Sequence, residues 1–133
     1  MTTREDLESF LLRAGLESEE IGEGMWSVPV SEDGKRMIIH YSPPHLILRV
    51  RVMPVPEEGS GAALLRRLLE LNASDLVRGA YGIDGDEIIL SDALEMERLD
   101  FAQFQDALDA VQVAVASHRE PLARFVRSET QTS

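Results

Sequence analysis

Two Asp-Gly pairs, Asp33-Gly34 and Asp84-Gly85, each stand between runs rich in β-branched and apolar residues. Asp-Gly in that setting is a strong signal of a β-hairpin, because both residues tolerate the positive φ of a tight turn. Two hairpins commit the chain to antiparallel pairing between strands that are neighbours in sequence. The first would join residues 25–30, with Trp26, Val28 and Val30 on one face, to a return strand over 35–41 around Met37, Ile38 and Ile39. Ser42-Pro43-Pro44 interrupts the pairing there, since proline cannot donate to a ladder. Residues 45–53 then form the longest strand. Its alternation puts Leu46, Leu48, Val50 and Val52 on one face and Ile47, Arg49, Arg51 and Met53 on the other. The second hairpin would join 77–83 to 87–91.

Helical spacing appears in three places. Leu7, Phe10, Leu11 and Ala14 form one stripe over 3–14, capped by Thr3 with Asp6 and stopped by Gly15. The acidic, glycine-punctuated stretch 17–24 reads as a solvated connector. A loop over 54–61 leads to a leucine-rich helix at 62–71, with Asn72 as its C-terminal stop. After a linker over 92–100, Asp100 and Gln103 have the spacing of a capping box. They open a long helix over 101–127 whose seam is Phe101, Phe104, Leu108, Val111 and Val115, with Pro121 as a kink or end. Residues 128–133 should form a frayed tail. The expected fold is α+β, with the order α-β-β-β-α-β-β-α and helices packed on a mostly antiparallel sheet. No domain boundary is visible, so residues 1–133 read as one domain.

The formal net charge of −11 disfavours direct contact with nucleic acid or an anionic membrane. No apolar run approaches the roughly 20 residues a membrane helix needs. The opening MTTREDLESF lacks the basic start and apolar run of a signal peptide, so a cytoplasmic protein is expected. With no cysteine, disulfides and thiolate chemistry are excluded.

The candidates for chemistry are weak. His40 and His45 flank a turn but lack an obvious third metal ligand, and His118 is distant in sequence. Asp84, Asp86, Glu87 and Asp92 cluster at the second hairpin, where Gly85 is misplaced for a calcium loop. Gly79, Gly82 and Gly85 are not followed by the lysine of a phosphate loop. No Gly-x-Ser-x-Gly elbow supports a nucleophile. No catalytic residue, metal or cofactor is therefore expected. Arg49 and Arg51, with Ile47 and Met53 beside them, form a positive and apolar stripe suited to protein contacts. The helix at 62–71 carries more leucine than one buried stripe needs, and Leu65 and Leu69 are the surplus that could meet a second copy.

The stretch Leu68-Leu69-Glu70-Leu71-Asn72-Ala73-Ser74, followed by Gly79-Ala80-Tyr81-Gly82-Ile83-Asp84, Ile88-Ile89-Leu90 and a long closing helix, resembles the YbjN-like proteins, whose fold is that of the type III secretion chaperones. The detailed likeness spans residues 64–122, and the first half matches in strand order and pattern. The resemblance implies a homodimeric domain that binds other proteins in apolar grooves on its sheet and flanking helices, with no catalytic residues. The expectation is a non-enzymatic protein-binding module, chaperone-like or regulatory, holding a protein segment on its sheet or helix surface. Two alternatives stand beside it. One is a small-ligand or metal-dependent enzyme using the acidic hairpin; the other is a nucleic-acid-associated regulator acting through a protein partner.

Overall fold

The computed structural model describes residues 2–56 and 61–132, with side chains as far as Phe125. In chain order the elements are α1 (Arg4–Arg13), β1 (Glu19–Gly22), β2 (Met25–Pro29), β3 (Arg36–Ser42), β4 (His45–Pro54), α2 (Gly61–Ser74), β5 (Ala80–Asp84), β6 (Glu87–Glu95) and α3 (Phe101–Thr132). Among the described residues the strands form one six-stranded sheet in the order β1-β2-β3-β4-β6-β5. Every neighbouring pair is antiparallel. The α+β expectation holds, with one strand added. β1 lies in the stretch read as a connector. It is an edge strand exposed along its whole length, so it carries no apolar alternation to betray it. Its backbone pairing with β2 is what makes it a strand.

Both hairpins form where the Asp-Gly pairs place them. Val30 N–H donates to Lys35 C=O at 3.0 Å across the first turn. Asp84 pairs with Glu87 across the second. In each pair it is the glycine alone that takes positive φ, +96° at Gly34 and +62° at Gly85. Gly85 is the first of two central residues, the position that a type II′ turn reserves for glycine. Pro43 and Pro44 occupy the turn between β3 and β4, and the ladder runs right up to them at Ser42–His45.

The alternation of β2, β3, β4 and β6 sends Trp26, Val28, Met37, Ile39, Leu46, Leu48, Val50, Ile88 and Leu90 to one face, all buried. The apolar stripes of α1 and α3 complete this core, with Leu7, Phe104 and Leu108 at most 1% exposed. Phe10 joins the two helices, its ring 5.6 Å from Phe104 and 5.9 Å from Phe101. Thr3 caps α1 as expected, and Asp6 completes a reciprocal capping box with it. Asp100 and Gln103 form the other, each accepting the partner's backbone N–H at 2.8 and 3.1 Å. Thr2 ties the start of the chain to the β6–α3 connection through Met96 C=O at 2.9 Å and Leu99 C=O at 3.0 Å.

Several boundaries differ from expectation. β6 extends to Glu95 because its pairing with β4 continues through Leu46–Leu94. α2 continues past Asn72 to Ser74. Asn72 is therefore inside the helix, and its side chain has another task described below. α3 contains Pro121 without ending there, and its backbone runs to Thr132. The tail expected over 128–133 falls where no side chain is described, and the centre of the 54–61 loop, residues 57–60, lies outside the described residues.

Candidate partner-binding surfaces

Among the described residues, no helical residue lines the groove on the sheet face opposite the core. That groove measures about 860 Å³ and runs across β1, β2, β3, β4 and β6. Its apolar floor comes from Ile21, Met25, Ile38, Ile47 and Ile89, and its cations are Lys35, Arg36, Arg49 and Arg51. The register explains the grouping. Ile38 faces Arg49, His40 faces Ile47, and Arg51 faces Ile89. Side chains directly opposite in neighbouring strands share a face. Arg49 and Arg51 are both exposed. Arg49 Nη1 lies 3.2 Å from Asp84 Oδ2 in an ion pair open to solvent. Arg36 donates to Ser27, from Nε to Oγ at 2.6 Å and from Nη2 to the carbonyl at 3.2 Å.

Met53 is not part of this surface. The β4–β6 register shifts between Arg51 and Met53, so that Met53 pairs with the buried Ile88. This bulge inserts one extra residue and reverses the alternation beyond it. Val52 and Met53 both line a smaller cavity on the helical side, with Tyr81, Val115, His118 and Leu122. The stripe read from the sequence thus loses its last member, while Ile47, Arg49 and Arg51 stay together.

That cavity, about 230 Å³, borders a polar chain that runs from the interior to an exposed carboxylate. The Tyr81 hydroxyl is 2.6 Å from His118 Nδ1, and His118 Nε2 is 2.5 Å from Asp75 Oδ2. Asp75 accepts from Nε2–H, which in a neutral imidazole leaves Nδ1 to accept the tyrosine proton. His118 is 3% exposed. Burial, and then the nearby Asp75 charge, hold the Tyr81 phenol well above its ordinary range. The sequence reading set His118 aside as distant. One signal was available: His118 continues the Val111–Val115 stripe of α3 towards Leu122, so it falls on the buried face.

The second exposed apolar surface lies where α2 flanks β5. Leu65, Leu68, Leu69, Asn72, Tyr81, Gly82 and Ile83 line a hollow of about 320 Å³. Leu69 is 67% and Ile83 53% exposed, whereas Leu64, Leu68 and Leu71 are buried. Leu65 is half-buried against the core. β5 is an edge strand, but its free side is closed at one point. Asn72 Oδ1 accepts the Tyr81 N–H at 2.7 Å, and Asn72 Nδ2 donates to the Tyr81 C=O at 3.2 Å. The carboxamide thus supplies both hydrogen bonds that another strand would make there.

Of the residues of the enzymatic alternative, Asp84, Glu87 and His40 line the open-face groove, while Asp92 is paired with Arg78 at 2.6 Å. Among the described residues no three histidine, aspartate or glutamate side chains are grouped to hold a metal ion, and no helix is long and apolar enough to cross a membrane.

The chain shares this architecture with solved structures. It is similar to a chain of the ExsC–ExsE complex, with TM-score 0.69 and 17% identity over 92% of this chain and 97% of that one. It is similar to YbjN from E. coli, with TM-score 0.67 and 12% identity over 87% and 90%. It is also similar to a chain of the heterodimeric ExoU–SpcU complex from the type III secretion system of Pseudomonas aeruginosa, with TM-score 0.65 and 16% identity over 90% and 96%. At these identities the likeness is one of fold. No curated protein matches the chain in sequence. The CesT_Tir_1 family model matches residues 1–128, and the chain therefore belongs to that family, the type III secretion chaperones.

Proposed function

We propose that the protein is a non-enzymatic, chaperone-like binding module that holds an extended segment of a partner protein on its open sheet face. The observation that carries this reading is the uncovered face itself, where isoleucines from β1, β3, β4 and β6 line one continuous groove. A sheet packed on one side normally turns a polar face to water. Here isoleucines and arginines share the face, the make-up of a recognition surface. Membership of a chaperone family and the fold shared with chains from two-protein complexes support the same role. The work is recognition without bond chemistry, in the cytoplasm.

The test uses a panel of extended peptides of varied apolar content, with amide NMR shifts as the readout. Binding is expected to move resonances of β3, β4 and β6 around Ile38, Ile47 and Ile89. Ile38→Asp with Ile47→Asp should weaken it by at least about tenfold, since each change removes an apolar contact worth on the order of 1 kcal/mol or more. Shifts confined to the helices would refute the placement.

We further propose that a second copy covers the α2–β5 hollow, with Leu65 and Leu69 in a homodimer interface. An exposed leucine and isoleucine beside a partly closed sheet edge support it. Leu69→Asp is expected to convert a sedimenting dimer into a monomer, and a native protein that sediments as a monomer at high concentration would exclude this interface.

A further inference from the structure

The open face also constrains what its occupant can be. We infer that the bound segment carries acidic and apolar side chains on one face, with its carboxylates set at one end of the groove and its apolar side chains at the other. This rests on the reading of the face as a partner site and adds the chemistry of the partner.

Charge is distributed unevenly between this face and the rest of the molecule. The chain has 13 basic and 24 acidic residues. Among the described residues, the groove is lined by the cations Lys35, Arg36, Arg49 and Arg51 but only by the acids Asp84 and Glu87. A molecule of net −11 thus presents one groove with an excess of positive charge. Such a patch attracts an anionic partner that the remaining surface repels.

The register orders the groove further. Arg36 precedes and Arg51 follows the Met37–Val50 pair, so the two arginines are neighbours across β3 and β4. Next comes the Ile38–Arg49 pair, and beyond it His40–Ile47, with Met25 opposite His40. Successive rows on one face are two residues apart, about 6.6–6.8 Å. An extended segment lying along β3 and β4 has the same repeat. Its side chains at i, i+2 and i+4 would meet an arginine pair, then arginine beside isoleucine, then Ile47 beside His40, with Met25 on the far side of the histidine. Carboxylates at i and i+2 with an apolar residue at i+4, in either chain direction, match that series.

The arginines are available for it. Arg51 has no ion-pair partner among the described residues. Among the described residues the Arg36 side chain is bonded to the neutral Ser27 alone, which leaves its charge uncompensated. The Arg49–Asp84 pair is solvent-exposed on both sides, so a partner carboxylate displaces Asp84 at little cost. Nucleic acid fits less well. Its regularly spaced phosphates would meet Asp84 and Glu87, and they offer nothing to the isoleucine floor.

The experiment is fluorescence polarisation at low and high salt with three eleven-residue peptides and one oligonucleotide. The first peptide carries glutamate at i and i+2 and leucine at i+4 on its groove-facing side, with serine between them; the second replaces glutamate by glutamine, the third by lysine. The oligonucleotide is single-stranded DNA. The acidic peptide is expected to bind at least about tenfold more tightly than the glutamine peptide, the order of two solvent-exposed charge pairs together. Salt should erase that margin. Arg49→Gln with Arg51→Gln should bring the acidic peptide down to the affinity of the glutamine peptide. If the glutamine or lysine peptide binds as tightly as the acidic one, the charge inference fails and the face remains a partner site. DNA that binds as tightly as the acidic peptide overturns the inference too. If no peptide of any charge binds, the inference falls together with the reading of the face on which it rests.

Discussion

Replacing Phe104 by alanine is expected to destabilise the domain by about 3–5 kcal/mol, the usual cost of emptying a fully buried phenylalanine site. Phe104 is 0% exposed and sits where α3 meets both the sheet and α1. Its ring lies 5.6 Å from that of Phe10, so its loss removes an aromatic contact as well as apolar burial. The hole cannot close easily. α1 is held at its start by Thr2, whose backbone and hydroxyl are bonded to Met96 and Leu99, and α3 is held by its capping box at Asp100. Domains of this size have total stabilities of about 5–15 kcal/mol, so the variant should be close to unfolding at ambient temperature. Urea unfolding followed by circular dichroism measures the loss. Phe104→Leu, which keeps most of the volume, should cost much less. A loss under about 1 kcal/mol for the alanine variant would mean that α1 is not seated on α3 as described.

His118→Ala should have the next largest effect. It strands the Tyr81 hydroxyl in the interior, which costs about 1–3 kcal/mol by itself, and the vacated volume adds to that. Removing both partners relieves the stranded hydroxyl. The double variant His118→Ala with Tyr81→Phe is therefore expected to be more stable than the sum of the two single losses predicts. Strict additivity would show that the tyrosine and histidine do not interact. The same group sets a pH dependence. The folded-state pKa of Tyr81 is raised above its ordinary 10.0, so the folded chain holds this proton more tightly than the unfolded chain. The contribution is fully present below pH 10 and is lost as pH rises through the folded value. Between about pH 9 and 12 the wild type should lose stability relative to Tyr81→Phe, because only the wild type carries the buried Tyr81 phenol, which ionises more readily once the chain unfolds.

The network also bears on the binding surfaces. Tyr81 lies in β5, His118 in α3 and Asp75 just beyond α2, so three hydrogen-bonding groups join three elements at the sheet edge. Asn72 adds a fourth link from α2 to the Tyr81 backbone. The proposed dimer surface is therefore built on an edge that is fixed from inside by His118 and from outside by Asn72.

Much of the fold was legible because local signals and tertiary demands agree. The Asp-Gly turns, the alternation of β2, β3 and most of β4, the two capping boxes and the leucine stripe of α2 each follow from short-range sterics or from a period of 2 or 3.6. These features also grouped Ile47, Arg49 and Arg51 on one side of one strand, and the fold keeps them there. The family resemblance rested on the same α2–β5–β6 segment, and the family match bears it out. Tertiary structure alone decided the rest. β1 exists because β2 offers it backbone partners, not because of its side chains. Met53 leaves the open face because one extra residue in β4 must be accommodated against β6, and periodicity within a single strand carries no information about its neighbour. Asn72 serves the edge of β5 rather than the end of α2, and His118 meets Tyr81 across 37 residues of chain. Periodicity names the face on which a side chain lies. What stands opposite that face is fixed only when distant segments pack together, and here no helix among the described residues lines the groove on the second face of the sheet.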